Sequence, residues 1–167
     1  MLKIQTPVEH FENELAEEAR LFALPDDVHV VHEVRQKDGQ DAHWVTVTWR
    51  GRSASAACDG ALLNADMKER KRINKRAAKW AAYQALCALT GQRQPWGSLT
   101  GVRPTKLLLE LQQKGNEADF VSFYGVQPAK YDLARQILDV QKQAMRNVPA
   151  QAICVYICVP FCVTRCS

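Results

Sequence analysis

Trp44-Val45-Thr46-Val47-Thr48-Trp49-Arg50-Gly51-Arg52 decides the fold. Val45, Val47 and Trp49 fall on one side of an extended chain and Thr46 and Thr48 on the other, the period of a half-buried strand. Gly51-Arg52 predicts a tight hairpin turn, with Ser53–Cys58 returning as the partner strand. Upstream, Val28–Val34 alternates and is rich in β-branched residues. Lys37-Asp38-Gly39-Gln40 supplies the turn between these runs, with Gly39 able to take a positive φ. Leu2–Thr6 reads as one more short strand. Between it and Val28, a helix carries Val8, Phe11, Leu15, Ala19 and Phe22 on one face, and Pro25-Asp26-Asp27 ends it.

Downstream, a long helix is predicted from about Asp66 to Thr90, stopped at Gly91. Ile73, Ala77, Trp80, Ala81, Tyr83, Cys87 and Ala88 share one half of its wheel; Lys68, Lys71, Arg72, Lys75 and Lys79 share the other. Residues 1–91 therefore read as a small α+β domain, a short sheet covered by two helices. Residues 92–150 read as a helical linker region. Its opening, Gln94 to Pro104, is a loop punctuated by glycine and proline. Helices follow from Pro104 to Gly115 with Leu107, Leu108, Leu109 and Leu111, around Glu117–Tyr124, and from Pro128 to Arg146. In the last of these Tyr131, Ala134, Ile137, Leu138 and Met145 are expected to face inward. Ala152–Cys158 is an apolar, β-branched run that predicts a buried strand.

The 167 residues are 47% hydrophobic and 24% charged, which is ordinary globular composition and argues against disorder. The net charge of +4 is modest. Its excess lies in residues 68–79, so nucleic acid is not expected as a partner, and the basic face reads as solvated. No apolar core of a secretory signal follows Met1, and no run approaches the roughly 20 residues of a membrane span. The chain reads as cytoplasmic, where its six cysteines would be reduced thiols. His10, His29, His32 and His43 show no ligand spacing; His29 and His32 are expected at the surface. Cys58 and Cys87 are expected to be buried and inert. Residues 95–104 read either as an anion cradle, using Arg103 and the N–H groups at a helix start, or as a hinge.

Four cysteines, Cys154, Cys158, Cys162 and Cys166, lie in the last fourteen residues. A helical thiol stripe is excluded by Pro160 and by the β-branched residues around it. Cys154 and Cys158 then share one face of a strand, as packed small hydrophobes. Cys162 and Cys166 follow Pro160-Phe161 in a loop, where thiolates can hold an iron–sulfur cluster or simply pack.

Val155-Tyr156-Ile157-Cys158-Val159-Pro160-Phe161-Cys162-Val163-Thr164-Arg165-Cys166 resembles the opening signature of the radical-SAM barrel in oxygen-independent coproporphyrinogen III oxidases. That pattern is an apolar strand with a tyrosine, Pro-Phe, then Cys-x3-Cys-x2-Cys. Cys162 and Cys166 match its first two cysteines, and the third would fall beyond Ser167. Pro95-Trp96-Gly97-Ser98-Leu99-Thr100-Gly101-Val102-Arg103-Pro104-Thr105-Lys106-Leu107 is similar to a segment that HemZ-type members carry ahead of the barrel. Cys158 stands where members usually have glycine or histidine, and Val163 where HemZ-type members often have proline; neither change removes a ligand.

The resemblance implies an α+β chain whose residues 151–167 begin a truncated radical-SAM (β/α) barrel. It implies a 4Fe–4S cluster with Cys162 and Cys166 among its ligands, and S-adenosyl-L-methionine in contact with Tyr156. The reaction it implies is oxidative decarboxylation of coproporphyrinogen III to protoporphyrinogen IX, started by a deoxyadenosyl radical. A porphyrinogen substrate and an electron donor would be partners of the full-length enzyme. The fragment alone is expected to be inactive. Another radical-SAM enzyme, a haem chaperone, or a non-enzymatic RNA-binding α+β module are the alternatives.

Overall fold

A computed structural model of the protein describes residues 1–146, 148, 149, 151–153, 155, 157 and 158. Its first half is a four-stranded sheet with two helices on one face. The strands are β1 (Leu2–Gln5), β2 (Val28–Lys37), β3 (Gln40–Trp49) and β4 (Arg52–Leu62), adjacent in that order. β2, β3 and β4 form an antiparallel meander, and β1 runs parallel to β2. A parallel neighbour needs a crossover connection, which α1 (Phe11–Arg20) supplies.

Two-residue turns close both hairpins. Asp38 and Gly39 have φ of 50° and 78°, and Arg50 and Gly51 have 50° and 71°. Positive φ at both central residues matches the right-handed twist of the flanking strands. The second turn is therefore centred on Arg50-Gly51, one residue earlier than the sequence suggests. The exposed face is laced by hydroxyl pairs in register, Thr46 with Ser55 and Thr48 with Ser53, each at 2.8 Å.

The covered face carries Val28, Val30, Val45 and Val47, as alternation predicts. Phe11, Leu15, Ala19 and Phe22 of the α1 region close over them with α2 (Met67–Thr90). Asp66 caps α2 by accepting from the N–H groups of Lys68 and Glu69, and Gly91, at φ 72°, ends it. Ala77, Ala78, Ala81, Ala82 and Ala85 are all buried. These small residues let a helix lie close on a sheet. The apolar stripe differs from expectation at its end: Ala88 is exposed, and Leu86 and Leu89 fill the core instead.

A second core joins α3 (Pro104–Gln113), the short α4 (Asp119–Ser122) and α5 (Pro128–Arg146). It consists of Leu107, Leu108, Leu111, Phe120, Tyr124, Val126, Ala134 and Leu138. Ile137 and Met145, expected inward, are exposed. α5 packs on α3 and α4 along one narrow stripe through Ala134 and Leu138, and Ile137 lies about 100° of helix turn away from Leu138. Trp80 bridges the two cores, stacked at 5.6 Å on Tyr83 and at 5.7 Å on Phe123.

The buried strand expected at Ala152–Cys158 is corrected for the residues described. Ala152, Ile153, Val155, Ile157 and Cys158 lie in no strand, and all five are exposed. The sheet of the first half does not extend to them, so they have neither a ladder for their backbone groups nor a face to bury.

Candidate functional site

Tyr156, Cys162 and Cys166 lie outside the described residues, as does Cys154. Among the described residues, no three His, Cys, Asp or Glu side chains converge to hold a metal ion. Cys158 is exposed. Cys58 and Cys87 are half-buried rather than buried, and burial raises both thiols above their ordinary range, Cys58 to about 11. Both therefore stay neutral and unreactive, as expected.

The segment from Pro95 to Arg103 is a clamp, tied down on both sides. Ser98 donates to the carbonyl of Tyr124 twice, from its N–H at 2.9 Å and its hydroxyl at 3.3 Å. Gln127 N–H reaches the Pro95 carbonyl at 3.1 Å. A Cβ on Gly97 would sit 2.0 Å from the Tyr124 oxygen, so only glycine permits this approach. On the other side, Thr100 donates its hydroxyl to Glu18 at 2.8 Å, and its carbonyl accepts from Lys79 Nζ at 3.1 Å. The loop thus ties α1, α2 and the second core together. Arg103 is exposed and does not join the cations of α2 at the cavity beside the loop.

Several of those cations are ion-paired, and one of them, Lys79, departs from the solvated face that was expected. Arg70 makes a two-pronged bond to Asp41 at 2.9 and 3.0 Å. Arg72 pairs with Glu69 and Lys75 with Glu14. Lys79 is buried among Glu14, Glu17 and Glu18 at 3.5–3.8 Å. Lys68 and Lys71 remain exposed. Glu18 is itself sealed, with Oε2 unpartnered among the described residues, and burial raises its carboxyl to about 7 against the pull of Lys79 and Thr100.

A buried histidine pair was missed altogether. His32, expected at the surface, is 2% exposed, and its Nε2 shares a hydrogen bond with Nδ1 of His43 at 2.9 Å. Its Nδ1 meets the Thr6 hydroxyl at 2.8 Å, and Phe11 stacks on both rings. Burial lowers His32 to about 4 and also lowers His43. The signal was the alternation itself: His32 continues Val28 and Val30, and His43 precedes Val45 by two. Beside them a bulge sets Gly60 and Ala61 against Asp41 alone, and Asp41 turns inward to Arg70 and Asn74. This polar cluster supports the sheet edge and the start of α2.

Taken by fold, the chain is a four-stranded mixed α+β unit carrying a small helical extension, and no described helix is long and apolar enough to cross a membrane. No protein-family model matches it. The chain is similar to a protein of Bacillus subtilis (strain 168), the oxygen-independent coproporphyrinogen-III oxidase-like protein HemZ. The two are 33% identical over 115 residues, covering 64% of this chain and 23% of that protein. The chain thus spans less than a quarter of that relative's length.

Proposed function

We propose that these residues are the N-terminal part of an oxygen-independent coproporphyrinogen III oxidase-like enzyme, a cytoplasmic radical-SAM oxidoreductase of haem biosynthesis. One observation carries the reading: the 33% identity over 115 residues with a protein named as oxygen-independent coproporphyrinogen-III oxidase-like. The terminal sequence motif supports it independently, because thiolates spaced in a loop are the donors that iron–sulfur clusters take. Cys162 and Cys166 would give two of three cysteine ligands, and Tyr156 would contact S-adenosyl-L-methionine. When bound, the cluster and S-adenosyl-L-methionine supply one-electron chemistry that starts hydrogen abstraction from a propionate of the porphyrinogen. The role proposed for residues 1–146 is structural, a platform beside the catalytic domain. Residues 1–167 hold two of the three thiolates, and no turnover is expected from them alone.

The test is anaerobic expression of the complete reading frame that encodes these residues, followed by reconstitution with iron and sulfide. The expected result is iron–sulfur absorbance and consumption of coproporphyrinogen III that requires S-adenosyl-L-methionine. Cys162→Ala and Cys166→Ala should each abolish both. Retention of the full absorbance in either variant refutes the ligand assignment. A cluster that cleaves S-adenosyl-L-methionine but leaves coproporphyrinogen III untouched refutes the substrate.

A further inference from the structure

A cavity of about 320 Å³ lies where α2 faces the clamp and the start of α3. That is near the lower end of the roughly 300–1,000 Å³ of small-molecule sites. Four cations of α2 border it: Arg72, Lys75, Arg76 and Lys79. Three have carboxylate partners: Arg72 has Glu69, Lys75 has Glu14, and Lys79 has Glu14, Glu17 and Glu18. Arg76 forms no ion pair among the described residues. Its guanidinium instead lies over the ring of Tyr124, 5.7 Å from the centroid.

Tyr124 is held by its backbone. Its carbonyl receives Ser98, and its N–H donates to the Asp119 carbonyl at 2.9 Å. The phenol oxygen has no hydrogen-bond partner among the described residues. Glu14 and Glu17 border the cavity on the α1 side with Ser98 and Thr100 of the clamp, and its apolar surface comes from Leu99, Val102 and Leu107. Val102 is 47% exposed, an apolar side chain left at the rim.

We propose that this cavity binds a small monocarboxylate on an apolar, ring-sized body. The Arg76 guanidinium and the Tyr124 hydroxyl donate to the carboxylate, and the body lies against Leu99, Val102 and Leu107. Among the cavity's cations Arg76 is the one with no carboxylate partner among the described residues, so its guanidinium is the group left for a ligand carboxylate. A planar guanidinium fork fits the two oxygens of a carboxylate. The apolar wall favours an organic body over a bare inorganic ion, which would have to lose its hydration without apolar contact in return.

The test titrates the purified chain with phenylacetate, acetate and inorganic phosphate, following backbone amide shifts of Ser98–Gly101 and the Arg76 Nε–H by NMR. Phenylacetate is expected to saturate with a Kd of about 1 mM or tighter, and at least tenfold more tightly than acetate or phosphate. Arg76→Met and Val102→Asp should each weaken it at least tenfold. Arg76→Met removes the fork; Val102→Asp places a competing carboxylate at the rim without touching either core, and decides the matter should Arg76→Met fold poorly. Absence of saturable shifts with phenylacetate overturns the proposal. So does phosphate binding as tightly as phenylacetate, or affinity unchanged in Val102→Asp. The measurement involves neither iron nor porphyrinogen, so its outcome is independent of the proposed enzymatic role.

Discussion

His32 and His43 share one hydrogen bond, Thr6 takes a second ring nitrogen, and Nε2 of His43 is sealed without a partner among the described residues. Such a pair is comfortable when both rings are neutral. An added proton must reside beside Phe11 and the valines of the core, where burial opposes charge. The folded His32 refuses a proton until about pH 4, while the unfolded residue accepts one near 6.5. Its contribution to stability is therefore complete above pH 6.5 and is lost as pH falls to 4. The size is on the order of 3 kcal/mol, since a tenfold change in proton affinity is worth about 1.4 kcal/mol. Glu18 works in the opposite sense. Its folded carboxyl titrates at about 7 against an ordinary 4.5, so its contribution is complete below 4.5 and is lost as pH rises through 7. Urea denaturation across this range tests both. In Glu18→Gln, where that opposing carboxyl is gone, stability should fall from pH 6.5 to 4, and a flat profile there would show that the pair is not held neutral. Glu18→Gln, which keeps an acceptor for Thr100, should gain about 2 kcal/mol at pH 8 and nothing at pH 4.

Elements were the most legible scale. Alternation located β2 and β3, and the cap at Asp66 and stop at Gly91 bounded α2. α5 ran between the residues its proline and arginine suggested. Each of these signals is local, and that is why the chain displays them. What failed depended on a distant partner. Lys79 has the pattern of a solvated lysine, and only the carboxylates of α1 bring it inside. The bulge at Gly60-Ala61 has no local mark beyond one glycine. The apolar run after residue 151 has strand composition, but composition cannot provide a neighbouring strand. For the proposed cluster ligands Cys162 and Cys166 and the proposed cofactor contact Tyr156, the sequence motif alone speaks. The cap gives an element-level prediction: Asp66→Ala should cost about 1 kcal/mol, read as a lower urea midpoint with unchanged slope.

At the scale of the whole molecule, two cores are joined by stacking at Trp80 and by the clamp on the Tyr124 carbonyl. The clamp is where both can be loosened by one atom. Gly97→Ala places a methyl 2.0 Å from that carbonyl, at a φ of 59° that side chains rarely adopt. The expected cost is about 3 kcal/mol or more, with the fluorescence of Trp80 shifted toward that of exposed indole. A variant with native stability and native emission would show that the clamp does not couple the cores.

The same clamp reverses a common assumption about joints between packed units. Residues 95–103 lack regular secondary structure, yet the Ser98 amide is directed at a carbonyl and the residue is 7% exposed. In deuterated water that amide should retain its proton far longer than its irregular conformation suggests, and should release it only when the helical half breaks away.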